Sequence, residues 1–494
     1  MQQPIPSDTT EVLPASPHHA ATGLTEIAVN SPFGELPHLA PKIVALPGEN
    51  PAFRSLPNFS NAMQARRAIE HVPDIASGYL SVDEQIILGT PVLGSLILDL
   101  TASARASAYE RNLASEQFRA KVMTAHQVAL QRERNRCSPV PATVALPGVP
   151  AKVHFAVVGH GLGQRALIHA CQRVFGKSNR AVDVPVADGG GWIRFFRMDT
   201  LVHEFPSSGS ARAFYLALAR KVDGVLLTGF RYGRFSSSKI SDEEATVATQ
   251  AMLLSINLGV LIIGPVSTRE SDPTRAAAVW SLLATVAAET GIPVLIVATA
   301  GAAVNLIEHS GAQPDLSRGG VYDIAPFGMS SKAWRNVALM LWMKYLRAFA
   351  ETPPEWFYSA IWAQTLGRIE LAVKVAAHIG RAWASSNFVC TSLTKTKFKE
   401  QAHTALALEA PRLGAIRSAL RGGNFSRAQV MRNADWLPLQ MVIESLPSLD
   451  APDDWFAKKH YQSNRLVKAK TSLSVERDNA AGHNASSQVS GAAS

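Results

Sequence analysis

An α/β fold, a parallel sheet with helices on both faces, is what the sequence predicts, and three observations carry the prediction. Short, mostly apolar runs recur at Val153–Val158, Gly224–Leu227, Leu258–Ile263 and Pro293–Ala298. Turn residues or helical stretches separate them, and the first run leads straight into a glycine-rich turn. Runs that are apolar throughout suit strands buried under helices on both sides, whereas a sheet with one wet face would alternate. Such a set of strands implies a core of about 170 residues, within the size of one domain.

Taken in order along the 494 residues, the chain opens with a lead (1–55) rich in Pro, Ser, His and Thr and without a sustained period, the composition of a largely disordered segment. Val-Ala-Leu-Pro-Gly occurs at Val44–Gly48 and again at Val144–Gly148; a repeat architecture would need more copies. Residues 56–137 read as a helical N-terminal region. Its last part mixes Ala, Leu and Val with Arg105, Arg111, Arg119, Lys121, Arg132, Arg134 and Arg136, which suits a solvated helix face or one that meets nucleic acid. A Pro-rich linker (138–152) leads to the sheet-containing core (153–329). Helical stretches then predict a lid (330–435), and the tail (436–494) is basic and largely disordered, with Lys458, Lys459, Arg465, Lys468 and Lys470.

Composition narrows the function classes. A net charge of +9 favours a polyanionic partner, because clustered Lys and Arg release counterions from phosphates. Cys137, Cys171 and Cys390 are odd in number and widely spaced, which fits reduced packed thiols and no disulfide or zinc framework. The uncharged stretch Ala245–Thr268 reaches the ~20 residues of a membrane helix, yet Gln250, Ser255, Asn257, Gly264 and Pro265 interrupt it, so it reads as a helix followed by a buried strand. No secretory pattern opens the chain, and a cytoplasmic location is expected. No Ser-His-Asp signature, metal-ligand cluster or paired acids stand out among the scattered histidines and carboxylates.

The chemistry concentrates at two places. Strand, glycine turn and helix in HFAVVGHGLGQRALIHACQRVFG are the order of a P-loop, in which backbone N–H groups curl round phosphate, a Lys reaches the outer phosphates and a Ser or Thr binds magnesium. With Gly161 and Gly163 as the last two glycines, Val158 takes the first glycine's place, Gln164 the lysine's and Arg165 the hydroxyl's. Gln has no charge and Arg carries only donors, so magnesium has no ligand here. The segment Gly161, Leu162, Gly163, Gln164, Arg165 and Ala166 is either a degenerate nucleotide loop or a turn kept for strand–helix packing. The second place is the end of the strand NLGVLIIGPVS. An Asp-Glu pair there would hold magnesium and polarise water; Gly264 and Pro265 stand in its place and can do neither.

Taken together these blocks resemble the TnsC/TniB family of AAA+ regulators, which choose insertion targets for multi-protein DNA transposons. The likeness runs from about Phe53 to Asp435. It comprises the glycine loop, EEATVATQAMLLSINLGVLIIG, GIPVLIVATAGAAVNLI, the SRGG turn, the Trp-rich helix at Trp334–Tyr345, LGRIELAVKVAAHIGRAW and ALRGGN. It implies an AAA+-like P-loop three-layer core with a helical lid, with Thr299 sensing the γ-phosphate or capping the next turn. Arg318 in SRGG becomes a candidate for contact with a neighbour's nucleotide, or an ordinary surface arginine.

The resemblance further implies ATP as a possible ligand, bound without hydrolysis given the departures at Gln164, Arg165, Gly264 and Pro265, with double-stranded DNA, a transposase and a target selector as partners, and a homo- or hetero-oligomer. In TGFRYGRFSSSK, Arg231, Arg234 and Lys239 alternate with aromatics and are candidates for DNA contact, phosphates meeting the cations while rings stack. Two alternatives stand beside this reading. One is a divergent active NTPase using Arg165 with Glu270 or Asp272; the other is an interaction protein that binds neither nucleotide nor DNA.

Overall fold

The computed structural model describes residues 29–30, 43–44, 50–71, 86–134, 151–177, 179–185, 191–226, 240–309, 311–385, 392–421 and 425–445. Its strands are β1 (Val29–Asn30), β2 (Ile43–Val44), β3 (Val153–Val158), β4 (Asn179–Pro185), β5 (Trp192–Met198), β6 (Thr200–His203), β7 (Val260–Val266), β8 (Val294–Ala298) and β9 (Val321–Ile324). Five of them form the central sheet in the order β6-β7-β8-β3-β9, every neighbouring pair parallel. Numbered by occurrence within that sheet the strands stand 2-3-4-1-5, so the first strand lies between the fourth and the fifth. In the smaller sheet, β1-β5-β4-β2, the antiparallel hairpin β4–β5 is flanked by the two short parallel strands.

Alternate residues of the central strands feed two separate cores, as the two-residue period of a strand requires. Phe155, Val157, Leu261, Ile263, Val294 and Ile296 face one side. Ala156, Val158, Val260, Ile262, Leu295 and Val297 face the other. The helices Pro91–Glu110 and Gln164–Phe175 cover the second side with Leu93, Leu96, Ile97, Leu100, Leu167, Cys171 and Phe175. The first side is covered by Ala211–Leu226, Asp242–Ser255 and Pro273–Thr290, with the ring of Trp280 tilted against that of Phe205 at 4.6 Å. The result is the expected three-layer α/β core, with β3 in its interior.

The predicted strand at Gly224–Leu227 does not exist: as far as Leu226 the segment belongs to the helix Ala211–Leu226. Phe214, Leu218, Val222 and Leu226 recur every four residues and are buried, so the run VDGVL continues a helical stripe. The strand in its place is β6, four residues long and therefore without a visible period. The run at 258–263 became β7, shifted by two residues and continued through Pro265, and Ala245–Thr268 is the helix-then-strand unit read from its interruptions. No helix of the described residues is long and apolar enough to cross a membrane. Nor does every arginine of the N-terminal region lie on a solvated face. Arg111 is buried and donates to the Leu258 carbonyl at 2.7 Å and to Ser107 Oγ at 2.9 Å, tying its helix to the loop before β7.

Beyond β9 the chain forms helices Lys332–Leu341, Glu355–Thr365, Ile369–Ser385, Lys395–Ala405 and Ala410–Leu420. Buried aromatic rings lock them, Trp342 edge-on to Phe357 at 4.9 Å and Phe357 edge-on to Phe398 at 5.5 Å. A last segment with helices Arg427–Arg432 and Leu439–Glu444 returns from these helices to the central sheet. Val430, Ala434, Leu437 and Val442 bury its inner side.

Candidate functional site

At the end of β3 the chain turns through Gly159 to Gly163 into the helix Gln164–Phe175. Gly161 and Gly163 take φ of +79° and +91°, which other residues adopt at a cost, and a Cβ on Gly161 would sit 2.9 Å from Leu371 Cγ. A glycine turn that opens a helix at the carboxyl ends of parallel strands is the geometry of a phosphate site. The side chains inside it do something else. Gln164 is buried and its Nε2 donates to the Val158 carbonyl at 2.7 Å, tying the last residue of the loop to the first. Leu162 is half-buried, Ala166 is buried, and Arg165 is exposed.

At the end of β7 the absence of a carboxylate is built into the backbone. Gly264 is buried with φ of +135°, and a Cβ there would meet the Val297 carbonyl oxygen of β8 at 2.4 Å. The nearest acids after Pro265 are occupied locally: Glu270 accepts from the Ser267 N–H at 2.9 Å, and Asp272 caps the helix Pro273–Thr290, accepting from Thr274 Oγ1 at 2.7 Å.

Between the two lies a residue the sequence reading did not single out. Oδ1 of Asp435 accepts from Thr299 Oγ1 at 2.5 Å, from Thr268 Oγ1 at 2.5 Å and from the Thr268 N–H at 3.0 Å. Its Oδ2 lies 3.9 Å from His160 Nε2, and its carbonyl accepts from the His160 N–H at 2.9 Å. One carboxylate thus joins the glycine loop to the ends of β7 and β8. Arg368 supports it from below. Its guanidinium is buried, donates to the carbonyls of His160 (2.5 Å) and Trp436, and lies 5.4 Å from the centre of the Trp436 ring. Burial pushes its pKa down to about 10, so it keeps its charge at neutral pH. Arg368 lies in the LGRIELAVKV block, and the Glu370 N–H donates to the Gly161 carbonyl at 3.0 Å, so the lid rests directly on the loop.

Thr299 therefore belongs to this site: its hydroxyl caps the following turn, accepting from the Ala302 N–H at 3.3 Å, and donates to the chain's own Asp435. Replacing it with the isosteric Val removes both bonds and is expected to lower stability by about 1–3 kcal/mol in urea denaturation. Beside Gly163 the structure leaves a small apolar cavity of about 30 Å³ lined by Ile87, Leu93, Leu162, Ile324 and Phe327, room for about one water. Arg318 lies elsewhere. It is exposed, pairs with Asp315 at 3.5 Å, and precedes Gly319, whose N–H donates to the carbonyl of Val153 at the far end of β3. Arg231, Arg234 and Lys239 lie outside the described residues, as do Cys137 and Cys390; Cys171 is a buried thiol whose pKa burial pushes up to about 12, as expected of a packed, unreactive cysteine. Among the described residues no group of His, Cys, Asp and Glu could hold a metal ion.

No family model matches this chain, and no curated protein matches it significantly. Among solved structures it is similar to the Aeropyrum pernix ORC2 protein in its ADPNP–ADP complexes. The identity is 14% over 69% of this chain and 84% of that one, with a TM-score of 0.33.

Proposed function

We propose that this chain is a non-hydrolysing AAA+-type regulator of DNA transposition, a scaffold that assembles on double-stranded DNA and recruits a transposase and a target selector. The observation that carries the loss of hydrolysis is the pair of catalytic positions. Gln164 is tied back onto Val158, and the end of β7 has a buried glycine with no room for a side chain where a magnesium-binding acid would stand. ATP, where it binds, is held and not turned over. Support for the transposition reading comes from the order of blocks that resembles the TnsC/TniB regulators. Thr299 stands at the end of β8, SRGG precedes β9 and LGRIELAVKV contacts the glycine loop. The net charge of +9 suits a DNA partner.

Titration of the full chain with ATP and magnesium, with and without double-stranded DNA, tests the proposal. The expected result is DNA binding that weakens steeply with salt, no phosphate release above background, and loss of DNA binding when Arg231, Arg234 and Lys239 are all replaced by Ala. Phosphate release that vanishes in Arg165→Ala would establish an active NTPase instead. Binding to neither ATP nor DNA, with retained binding to a transposition protein, would leave an interaction module.

A further inference from the structure

We infer that the hydroxyls of Thr268 and Thr299 and the His160 side chain form an anion subsite at the carboxyl ends of β7 and β8, and that Asp435 fills it in place of a nucleotide's terminal phosphate. The inference rests on the P-loop reading of the preceding section and adds a gate to it: the segment Asn433–Trp436 and a nucleoside triphosphate compete for one place.

The donor set favours an anion. One oxygen of Asp435 receives two hydroxyl hydrogens and one backbone N–H, and the other faces His160. Three donors on one oxygen is how a phosphate oxygen is held, and a carboxylate oxygen, with its negative charge and free lone pairs, accepts them equally well. Location points the same way. The subsite lies beside the glycine turn and the N-terminus of the 12-residue helix Gln164–Phe175, where the field attracts negative charge. The buried Arg368 guanidinium adds a further positive charge and bonds only carbonyl oxygens, those of His160 and Trp436.

The occupant is held as a separable strap. Its inner side chains are apolar and buried, Arg368 and the His160 N–H hold its Trp436 and Asp435 carbonyls, and a surface tie comes from Arg412, which donates to the Arg432 carbonyl at 2.7 Å and to Asn433 Oδ1 at 2.9 Å. The backbone bond from the His160 N–H to the Asp435 carbonyl uses a loop N–H directly. With the strap seated, the His160 N–H and the Thr268 and Thr299 hydroxyls are all taken by Asp435, and the apolar cavity beside Gly163 measures about 30 Å³, far below the ~300–1,000 Å³ of a ligand pocket. Nucleotide affinity is then reduced by the fraction of molecules in which the strap is released.

Isothermal titration with ATP of the wild-type chain, Asp435→Ala and Arg412→Ala tests the competition. Asp435→Ala removes the occupant, while Arg412→Ala loosens the strap from the surface and leaves the subsite intact. Asp435→Ala is expected to bind ATP roughly 10- to 100-fold more tightly than wild type, Arg412→Ala by a smaller factor in the same direction. In hydrogen exchange, saturating ATP should deprotect residues 430–437 in whichever chain binds it. Affinities equal to wild type in a folded Arg412→Ala, or ATP binding that increases protection of those residues, would overturn the inference. DNA binding and phosphate release, read on the same samples, report on the proposed function separately; the subsite competes with ATP or fails to do so whatever they show.

Discussion

Placing an acidic pair at the end of β7, Gly264→Asp with Pro265→Glu, is expected to cost this protein most of its stability and to produce no hydrolysis. Gly264 sits at φ of +135°, where a residue with a Cβ is strained, and the added carbon would lie 2.4 Å from the Val297 carbonyl oxygen, a backbone atom of the central strand β8. Backbone strain of this kind costs about 1–3 kcal/mol, overpacking a dense core about 1–3 more, and an unpaired buried carboxylate several beyond that. The sum exceeds about 5 kcal/mol, on the scale of the 5–15 kcal/mol that holds a whole domain together. Urea denaturation and a phosphate-release assay check it together. A double variant within about 1 kcal/mol of wild type that releases phosphate would refute the claim that the backbone excludes the acid.

Mild acid is expected to weaken the fold before the carboxylates titrate. His154 in β3 and His203 in β6 are 1% and 5% exposed, the first bonded to Ser103 Oγ at 2.9 Å, the second edge-on to Phe214 at 4.7 Å. Burial, with smaller contributions from neighbouring charges, pushes both pKa values down to about 4 from 6.5. Between those values the unfolded chain binds a proton that the folded chain refuses, so stability is intact above pH 6.5, falls as pH drops and levels off below about 4. At pH 5, some 1.5 units into that window, each histidine accounts for about 2 kcal/mol and the two together for about 4. Urea midpoints at pH 7 and 5 measure the loss. His154→Gln and His203→Gln should each remove about half of the pH dependence, and an unchanged slope in the double variant would assign it to other groups.

Much of the scaffold was written locally. The all-apolar runs marked β3, β7 and β8 because a strand under two helical layers has no polar side to show. The run Gly224–Leu227 misled for the same reason: four residues are too few to separate a buried strand from the apolar stripe of a helix, and only Phe214, Leu218 and Val222 before it reveal the period. Gly161 and Gly163 announced the turn because few other residues accept its φ. Residue identity alone also shows that Gln164 carries no charge and Gly264 no side chain at all.

What fills the site was decided only by folding. Asp435 meets Thr299 across 136 residues of chain and Thr268 across 167, and Arg368 meets His160 across 208. No periodicity spans such distances. In the sequence Asp435 is one acid in a polar stretch after a helix, Arg368 a basic residue at the start of another, and Arg111 one more cation in an arginine-rich run. The central sheet brings its five carboxyl ends together, and the apolar side of the last segment presses Asn433–Trp436 onto them. Every polar group there then needs a partner, because an unpaired one buried away from water costs about 1–3 kcal/mol. Sequence determined that Gln164 stands in this loop and Gly264 and Pro265 at the end of this strand; the tertiary structure decided that a carboxylate from the far end of the chain takes up the donors of Thr268 and Thr299.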